Sequence, residues 1–344
     1  MPTNVDLPLT SAHWGTYRAR VRNGRVEELL AFEHDSDSSP IGHGILDVQH
    51  GPMRIDTPMV RESWLKEGPN IKNHLRGVEP FVSVSWDEAE TLVTDELRRV
   101  SKSFGNSAIF AGSYGWSSAG RFHHAQSQLH RFLKCIGGYT KSKFTYSFAA
   151  AEAMVPHILG SYRAFLDTCT SWDSIIENTD LFVCFGGIPL KNGQICQGGT
   201  GSHYQKEKLI EAARAKISFV NISPIKSDLL DDTGGTWLAP RPNTDTALLL
   251  GIAYTLLTDD LADLKFLENY TEGFEKFISY LLGENDGIPK TSEWAAEVCG
   301  IMSSEITSLA RQMAANRTMI SVSWSLTRQD HGEQPFWAAI AVAS

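Results

Sequence analysis

The sequence has few cysteines, and no two of them stand at a metal-binding spacing. Five occur in 344 residues, and no pair forms a Cys-x-x-Cys motif. Zinc ribbons and iron–sulfur clusters need closely spaced thiolates, so neither is predicted. An odd number of widely separated cysteines favours buried free thiols in a reducing compartment instead. These cysteines are Cys135, Cys169, Cys184, Cys196 and Cys299.

The sequence also lacks signals for export or membrane insertion. The opening Met1–Thr10 has no basic segment followed by an apolar one, which a secretory signal requires. No apolar run approaches the ~18 residues of a spanning helix. The chain is therefore predicted to be cytoplasmic and not membrane-spanning. The alternative is a periplasmic protein whose signal was removed before Met1.

Positive charge is in deficit, with 31 Lys and Arg against 40 Asp and Glu and a net charge of −9. A nucleic-acid-binding protein would show a basic stripe, so nucleic acid is not predicted as a partner. The Gly-x-Gly-x-x-Gly fingerprint is absent as well, which disfavours nicotinamide and flavin cofactors. Lysines and arginines are spread along the chain, so a cradle for another phosphate-bearing cofactor remains open.

What is present predicts an α/β fold. Asn23-Gly24 between alternating runs is typical of a β-hairpin and predicts a small N-terminal β-hairpin region. From Asp180 onward the pattern predicts a strand, a helix and a parallel strand, as in a Rossmann-like dinucleotide-binding sheet. The predicted domains are residues 1–58 (β region), 59–170 (α/β domain with the reactive pocket) and 171–344 (Rossmann-like domain).

The finer predictions concern individual elements. Residues 34–58 are rich in Asp, Ser, Gly and His and are predicted to be loop. Ser85 is predicted to cap a helix over 86–103 whose buried stripe is Leu92, Val93, Leu97 and Val100. Further elements are predicted by apolar pattern: strands at 181–185, 216–222 and 318–324, and helices at 202–215 and 246–257.

The two predicted parallel strands end in loops of a ligand-binding type. The first loop carries Lys191 and Asn192, and the second carries Ser223 and Lys226. Such loops can bind diphosphate and ribose through backbone N–H groups and a lysine charge. Because the carboxyl ends of parallel strands share one edge, the two loops are expected to lie together.

An aromatic, glycine-rich stretch lies between the two halves of the chain. It is Gly112-Ser113-Tyr114-Gly115-Trp116-Ser117-Ser118-Ala119-Gly120, and Thr145-Tyr146-Ser147 follows further on. Tyr114 and Trp116 supply stacking surface and one donor each. The alternative is that both rings only seal a core.

The motifs GSYGWSSAGRFHHA, GGYTKSKFTYS and VPHILGS, in this order, resemble the molybdopterin oxidoreductases of the dimethyl sulfoxide, biotin sulfoxide and trimethylamine N-oxide reductase type. The resemblance covers nearly the whole chain. It implies a molybdenum-dependent enzyme that reduces small S-oxides or N-oxides by oxygen-atom transfer to the metal. The implied cofactor is bis(molybdopterin guanine dinucleotide), with no iron–sulfur cluster, so electrons would come from an external donor protein.

The resemblance also implies roles for single residues. Ser147 would be the protein ligand of molybdenum, and Tyr114 and Trp116 would line the site of oxygen-atom transfer as catalytic residues. Asp245 would bind the guanine base, and Trp324 and Arg328 the second pterin dinucleotide, with Trp116 also against the cofactor. For Ser147 and for Asp245, the alternative is that the side chain only caps the N-terminus of a helix.

The chain departs from the family pattern at several positions and is shorter than its relatives. Ile188 and Ser223 stand before prolines where the family often has Asp or Asn, and Thr145 and Phe148 replace an aspartate and a small polar residue. Relatives continue into a carboxyl-terminal domain that closes over both pterins, so the resemblance implies an amino-terminal fragment or truncated gene. Two alternatives are a non-catalytic nucleotide-binding fragment and another molybdopterin enzyme, such as a dehydrogenase with Cys or selenocysteine at 147.

Overall fold

A computed structural model describes residues 6–70, 73–113, 124–196 and 199–344. The chain divides into two compact units. The first contains residues up to Lys143 together with Gln194–His203, and the second contains Phe144–Gly193 and Tyr204–Ser344. The three predicted domains remain a prediction. No helix among the described residues is long and apolar enough to cross a membrane.

The first unit contains three small sheets and four helices among its described residues. Strands β1, β2 and β3 form an antiparallel sheet, with β2 and β3 joined at Asn23-Gly24. Strands β4 and β5 pair antiparallel, and β6 and β7 pair parallel. The elements are β1 (Leu9–Ala12), β2 (Gly15–Arg22), β3 (Arg25–Ala31), α1 (Ile41–Val48), β4 (Met59–Arg61), α2 (Glu62–Glu67), β5 (Phe81–Ser83), α3 (Trp86–Phe104), β6 (Phe110–Ala111), α4 (Ala125–Cys135) and β7 (Thr140–Lys141).

Two predictions for this unit are wrong in part. Helix α1 lies inside the stretch that was predicted to be loop. Helix α1 packs against Tyr17 at Gly42, where a Cβ would stand 2.6 Å from the Tyr17 ring. Gly42 contributed to the loop prediction, but in the structure it permits this close packing of the helix. Ser85 caps α3 as predicted, with its hydroxyl accepting from the Glu88 N–H at 3.1 Å. The predicted buried stripe is wrong, because α3 has no buried residue and Val93 is 58% exposed.

The second unit is built on a four-stranded sheet in the order β10-β9-β8-β11, parallel throughout. The strand β8, helix α9 and strand β9 form the predicted βαβ arrangement. The elements are α5 (Ala149–Leu159), α6 (Tyr162–Asp167), α7 (Trp172–Asn178), β8 (Leu181–Phe185), α8 (Leu190–Gly193), α9 (Gln205–Arg214), β9 (Ser218–Ile222), β10 (Thr236–Leu238), α10 (Asp245–Thr258), α11 (Leu264–Tyr270), α12 (Phe274–Leu281), α13 (Ser292–Cys299), α14 (Ser303–Ala315), β11 (Thr318–Val322) and α15 (Gln334–Ala343).

Both faces of this sheet are covered, which explains why β8 is apolar at every position. Val183 and Phe185 face a core shared with α10, α13, α14 and α15, while Phe182 and Cys184 face a second core shared with α7 and α9. Strands buried on both faces read as continuous apolar runs rather than as alternating ones.

The cysteines only partly match the sequence prediction. All five are free, but only Cys184 and Cys299 are buried, and the other three are exposed. The spacing of the cysteines excludes Cys-x-x-Cys motifs. Whether a cysteine is buried depends instead on the packing around its thiol.

Candidate functional site

The candidate site of the second unit lies where β8, β9 and β11 end at the same edge of the sheet. The loops that follow these strands approach each other closely at Gly186 and Gly187, which have φ values of +81° and +68°. A Cβ on Gly186 would stand 2.6 Å from the Ser323 Cβ, and one on Gly187 would stand 2.5 Å from the Asp228 carbonyl oxygen. Only glycine satisfies both the backbone conformation and the close approach. The three loops therefore pack tightly around Gly186 and Gly187, and we call this arrangement the glycine cradle.

One carboxylate that the sequence analysis missed connects the two loops. Asp228 accepts a hydrogen bond from the Ser223 hydroxyl at 2.8 Å through one oxygen. Its other oxygen lies 3.7 Å from the Lys191 ammonium. The Ile188 N–H also donates to the Asp228 backbone carbonyl at 2.6 Å. Asp228 therefore brings the predicted residues Lys191 and Ser223 together. An acidic residue just past the second strand of a βαβ unit was the signal available in the sequence.

Asn221 adds a polar atom that no described residue satisfies. Its side-chain amide donates to the Lys226 carbonyl at 3.0 Å, which fixes the turn that carries Lys226. Its side-chain oxygen is buried and has no hydrogen-bond partner among the described residues. Buried polar atoms are nearly always hydrogen-bonded, so this oxygen suits a ligand or a bound water. The sequence analysis missed Asn221 because it lies within an apolar strand.

Asn192 and Lys226 lie on the same two loops. Asn192 belongs to the single turn α8, and its backbone N–H donates to the Pro189 carbonyl at 3.0 Å. Lys226 begins a short 3₁₀ turn and is exposed. The structure thus brings Lys191, Asn192, Ser223 and Lys226 to one edge of the sheet, as predicted, and two lysine charges lie there.

Asp245 opens helix α10 and is 7% exposed. The N-cap residue is Thr244, and no side chain caps this helix, so Asp245 is not the N-cap that the alternative required. Burial raises the pKa of its carboxyl to about 6. Its own backbone N–H is the one group that lowers this pKa, and among the described residues no cation pairs with it. A buried carboxylate in such surroundings is costly unless a donor reaches it.

Ser147 lies just before α5, in a segment held by the loop that follows β11. The N-cap of α5 is Phe148, so the alternative of Ser147 as a plain N-cap is wrong. The Ser147 carbonyl accepts from Arg328 Nε at 2.9 Å and from the Thr327 hydroxyl at 3.4 Å. Phe148 lies against Trp324, with ring centroids 4.2 Å apart. Ser147, Trp324 and Arg328 are therefore neighbours, as the predicted roles require.

Two predicted residues, Tyr114 and Trp116, lie outside the described residues, and their roles remain predictions. Within the described part of the chain, no group of three or more His, Cys, Asp or Glu side chains is arranged to hold a metal ion.

The comparisons with known proteins decide the family. The model of the molybdopterin oxidoreductases matches residues 54–344, and that of their N-terminal domain matches residues 10–50. The chain belongs to the molybdopterin oxidoreductase family. This confirms the resemblance found in the motifs, and the family takes its name from a molybdenum–molybdopterin cofactor.

Within this family, the chain is similar to reductases of S-oxides and N-oxides. It is 42% identical over 337 residues to a dimethyl sulfoxide/trimethylamine N-oxide reductase of Cereibacter sphaeroides, with 98% of this chain and 41% of that protein covered. A biotin sulfoxide reductase of the same organism is 42% identical over 313 residues (91% and 42% covered). A trimethylamine-N-oxide reductase of Pasteurella multocida is 36% identical over 343 residues (98% and 42% covered).

One solved structure supports the fold alone. Acetylene hydratase from Pelobacter acetylenicus matches with a TM-score of 0.67 at 17% identity, covering 97% of this chain and 42% of that one. The chain thus spans less than half the length of the relatives it matches.

Proposed function

We propose that this chain forms the cofactor-binding part of a molybdenum-dependent oxotransferase that reduces small S-oxides or N-oxides. The names of relatives at 36–42% identity support this substrate class. The observation that carries the proposal is the buried, uncompensated Asp245 carboxylate together with the two lysine-bearing loops that meet at the glycine cradle. Both features suit a large polar cofactor with a purine base and a diphosphate.

The parallel sheet binds the dinucleotide part of this cofactor in a Rossmann-like manner. The glycine cradle brings the three loops together, and backbone N–H groups of these loops can donate to a diphosphate. Lys191 and Lys226 supply positive charge at the same edge, and the carboxylate of Asp228 can accept from a ribose hydroxyl. The unsatisfied oxygen of Asn221 offers a further acceptor. The residues present therefore fit the dinucleotide, with Asn192 and Ser223 on the same loops.

Asp245 binds the guanine base. The Watson–Crick edge of guanine presents two N–H donors, which match the two oxygens of one carboxylate. Such a pair would give the buried carboxylate of Asp245 the donors that it lacks and would stabilise its ionised form. The proposed cofactor is therefore bis(molybdopterin guanine dinucleotide), and Trp116, Trp324 and Arg328 remain proposed contacts of this cofactor.

Ser147 is the proposed protein ligand of molybdenum, and its backbone is fixed by Arg328 and Thr327. When bound, the molybdenum centre would supply the two-electron chemistry of oxygen-atom transfer, which no side chain can perform. As the family resemblance implies, Tyr114 would be a hydrogen-bond donor to the reacting oxygen and Trp116 would exclude water. A serine rather than Cys or selenocysteine at 147 favours this class over a dehydrogenase. As the family resemblance implies, we propose that an external donor protein delivers the electrons.

The direct test is Ser147→Ala in the cofactor-loaded protein, produced anaerobically with molybdate. We expect about one molybdenum per wild-type chain and turnover of a sulfoxide or N-oxide with a viologen donor. The variant should remain folded and lose turnover. Wild-type turnover by the variant with molybdenum retained would refute the ligand assignment. Bound guanine nucleotide without molybdenum in the wild-type protein would support the alternative, a non-catalytic nucleotide-binding fragment.

A further inference from the structure

Residues from a distant part of the chain bind the backbone of the segment that carries Ser147. Arg328 follows Ser147 by 181 residues, yet its Nε donates to the Ser147 carbonyl at 2.9 Å. The Thr327 hydroxyl lies 3.4 Å from the same oxygen and 2.8 Å from the Trp324 carbonyl. These donors come from the 3₁₀ turn Trp324–Thr327 and the residue after it.

The shape of this segment is not one that its own residues favour. Phe144 has a φ of +64°, a conformation that is uncommon for residues other than glycine and that persists only when surrounding contacts enforce it. The side chain of Tyr146 is fully exposed and contributes no packing. Within the segment, the Ser147 N–H donates to the Thr145 hydroxyl at 3.0 Å. Contacts from outside the segment must therefore help to enforce its shape.

Phe148, directly after Ser147, makes further contacts with residues outside the segment. Its ring lies 4.2 Å from that of Trp324 on one side and stacks on Tyr162 at 5.6 Å on the other. Tyr162 is 5% exposed, so this stack belongs to the packed interior of the second unit. These ring contacts anchor Phe148, the residue directly after Ser147.

We propose that Arg328 is a positioning residue, whose hydrogen bond to the Ser147 carbonyl, assisted by Thr327, fixes the Ser147 segment for metal ligation. This role is additional to any contact between Arg328 and the cofactor. It rests on the proposed function for the metal itself, but the hold on the segment is a property of the chain alone. The conformation of the segment is therefore set by residues 324–328 before any metal binds.

The first test is hydrogen exchange of residues 144–150 in the cofactor-free chain, comparing wild type with Arg328→Lys. Lysine keeps the positive charge but has a methylene group where arginine has its Nε–H. It therefore cannot donate to the Ser147 carbonyl from the same position. Losing a charge-assisted hydrogen bond should speed exchange in this segment about tenfold. Thr327→Val should speed it less. The matched control is Arg311→Lys, which removes an Nε–H bond to Asp259 elsewhere in the unit and should leave residues 144–150 unchanged.

The second test uses the cofactor-loaded protein and X-ray absorption at molybdenum. We expect Arg328→Lys to weaken the protein-oxygen signal per molybdenum bound, with Ser147→Ala as the reference for its complete loss. Unchanged hydrogen exchange in Arg328→Lys would overturn the proposal. If this variant also lost the cofactor, Arg328 would be assigned to binding the dinucleotide instead. If wild type binds no molybdenum, the proposed function is wrong, and the exchange comparison alone decides whether Arg328 holds the segment.

Discussion

Replacing Asp245 with asparagine should make the cofactor-free chain more stable, and the gain should depend on pH. Burial raises the pKa of this carboxyl from 3.8 to about 6. Between these two values the folded chain holds a proton on Asp245 that the unfolded chain has released. Unfolding then releases a proton, so the contribution of Asp245 to stability falls as the pH rises from about 4 to about 6. Asparagine has no charge to desolvate at any of these pH values.

The expected magnitude follows from the two pKa values. They differ by about 2, and each unit of pKa corresponds to about 1.4 kcal/mol. The ionised carboxylate therefore costs the folded chain up to about 3 kcal/mol above pH 6. The free energies of unfolding of Asp245→Asn and wild type should be nearly equal near pH 4. They should differ by about 2–3 kcal/mol, in favour of the variant, near pH 7.5.

Urea unfolding of both chains across this pH range measures the difference. Asp232→Asn is the matched control, because it makes the same chemical change at an exposed position of the same unit. It shows what this substitution does to stability where the side chain is exposed. In the cofactor-loaded protein, wild type should have the higher free energy of unfolding of the two. Asp245→Asn should then lose guanine dinucleotide, since each charge-assisted bond is worth about 1.5–3 kcal/mol. A pH-independent difference for Asp245→Asn would refute the burial argument, and unchanged cofactor content would refute the guanine assignment.

Two further predictions concern the glycine cradle and the aromatic loop. Gly187→Ala should lower the free energy of unfolding by about 2–4 kcal/mol, measured by urea unfolding, because its Cβ meets the Asp228 backbone. The control Gly273→Ala has a similar φ of +83° but nothing within 4 Å, so it should cost only about 1 kcal/mol, and equal losses would contradict the steric argument. Tyr114→Phe should retain molybdenum but slow sulfoxide turnover ~10- to 1000-fold, as expected for losing one donor to the reacting oxygen. Equal kcat and KM for several sulfoxides would show that Tyr114 only packs.

Local pattern was enough to locate the parallel sheet. The strand β8 was predicted at its observed bounds, and β9, α10 and β11 within a few residues, because continuous apolar runs between polar loops mark buried strands and helices. The ligand-type loops followed from the same pattern. Since parallel strands share one edge for their carboxyl ends, the order of the elements alone predicts that Lys191 and Ser223 lie together.

Other features depended on contacts between distant residues. Amphipathic spacing in α3 identified its apolar face but not whether another element covers that face, and no residue of α3 is buried. Gly42 has the composition of a loop residue, and only the Tyr17 ring packed against it explains why a glycine stands there. The network around Asp228 joins residues from two loops, and neither loop predicts the other's side-chain positions.

The sequence by itself indicated the family through its motifs and predicted the strands β8, β9 and β11 through their apolar runs, which are local properties of the chain. The roles proposed for Ser147, Asp245 and Arg328 are what the family resemblance implies. Only the tertiary structure decided that Asp245 is buried with its pKa raised, and that Arg328 reaches the Ser147 carbonyl across 181 positions. Desolvation and long-range hydrogen bonds depend on which atoms surround a group, and that is settled only when distant segments pack together.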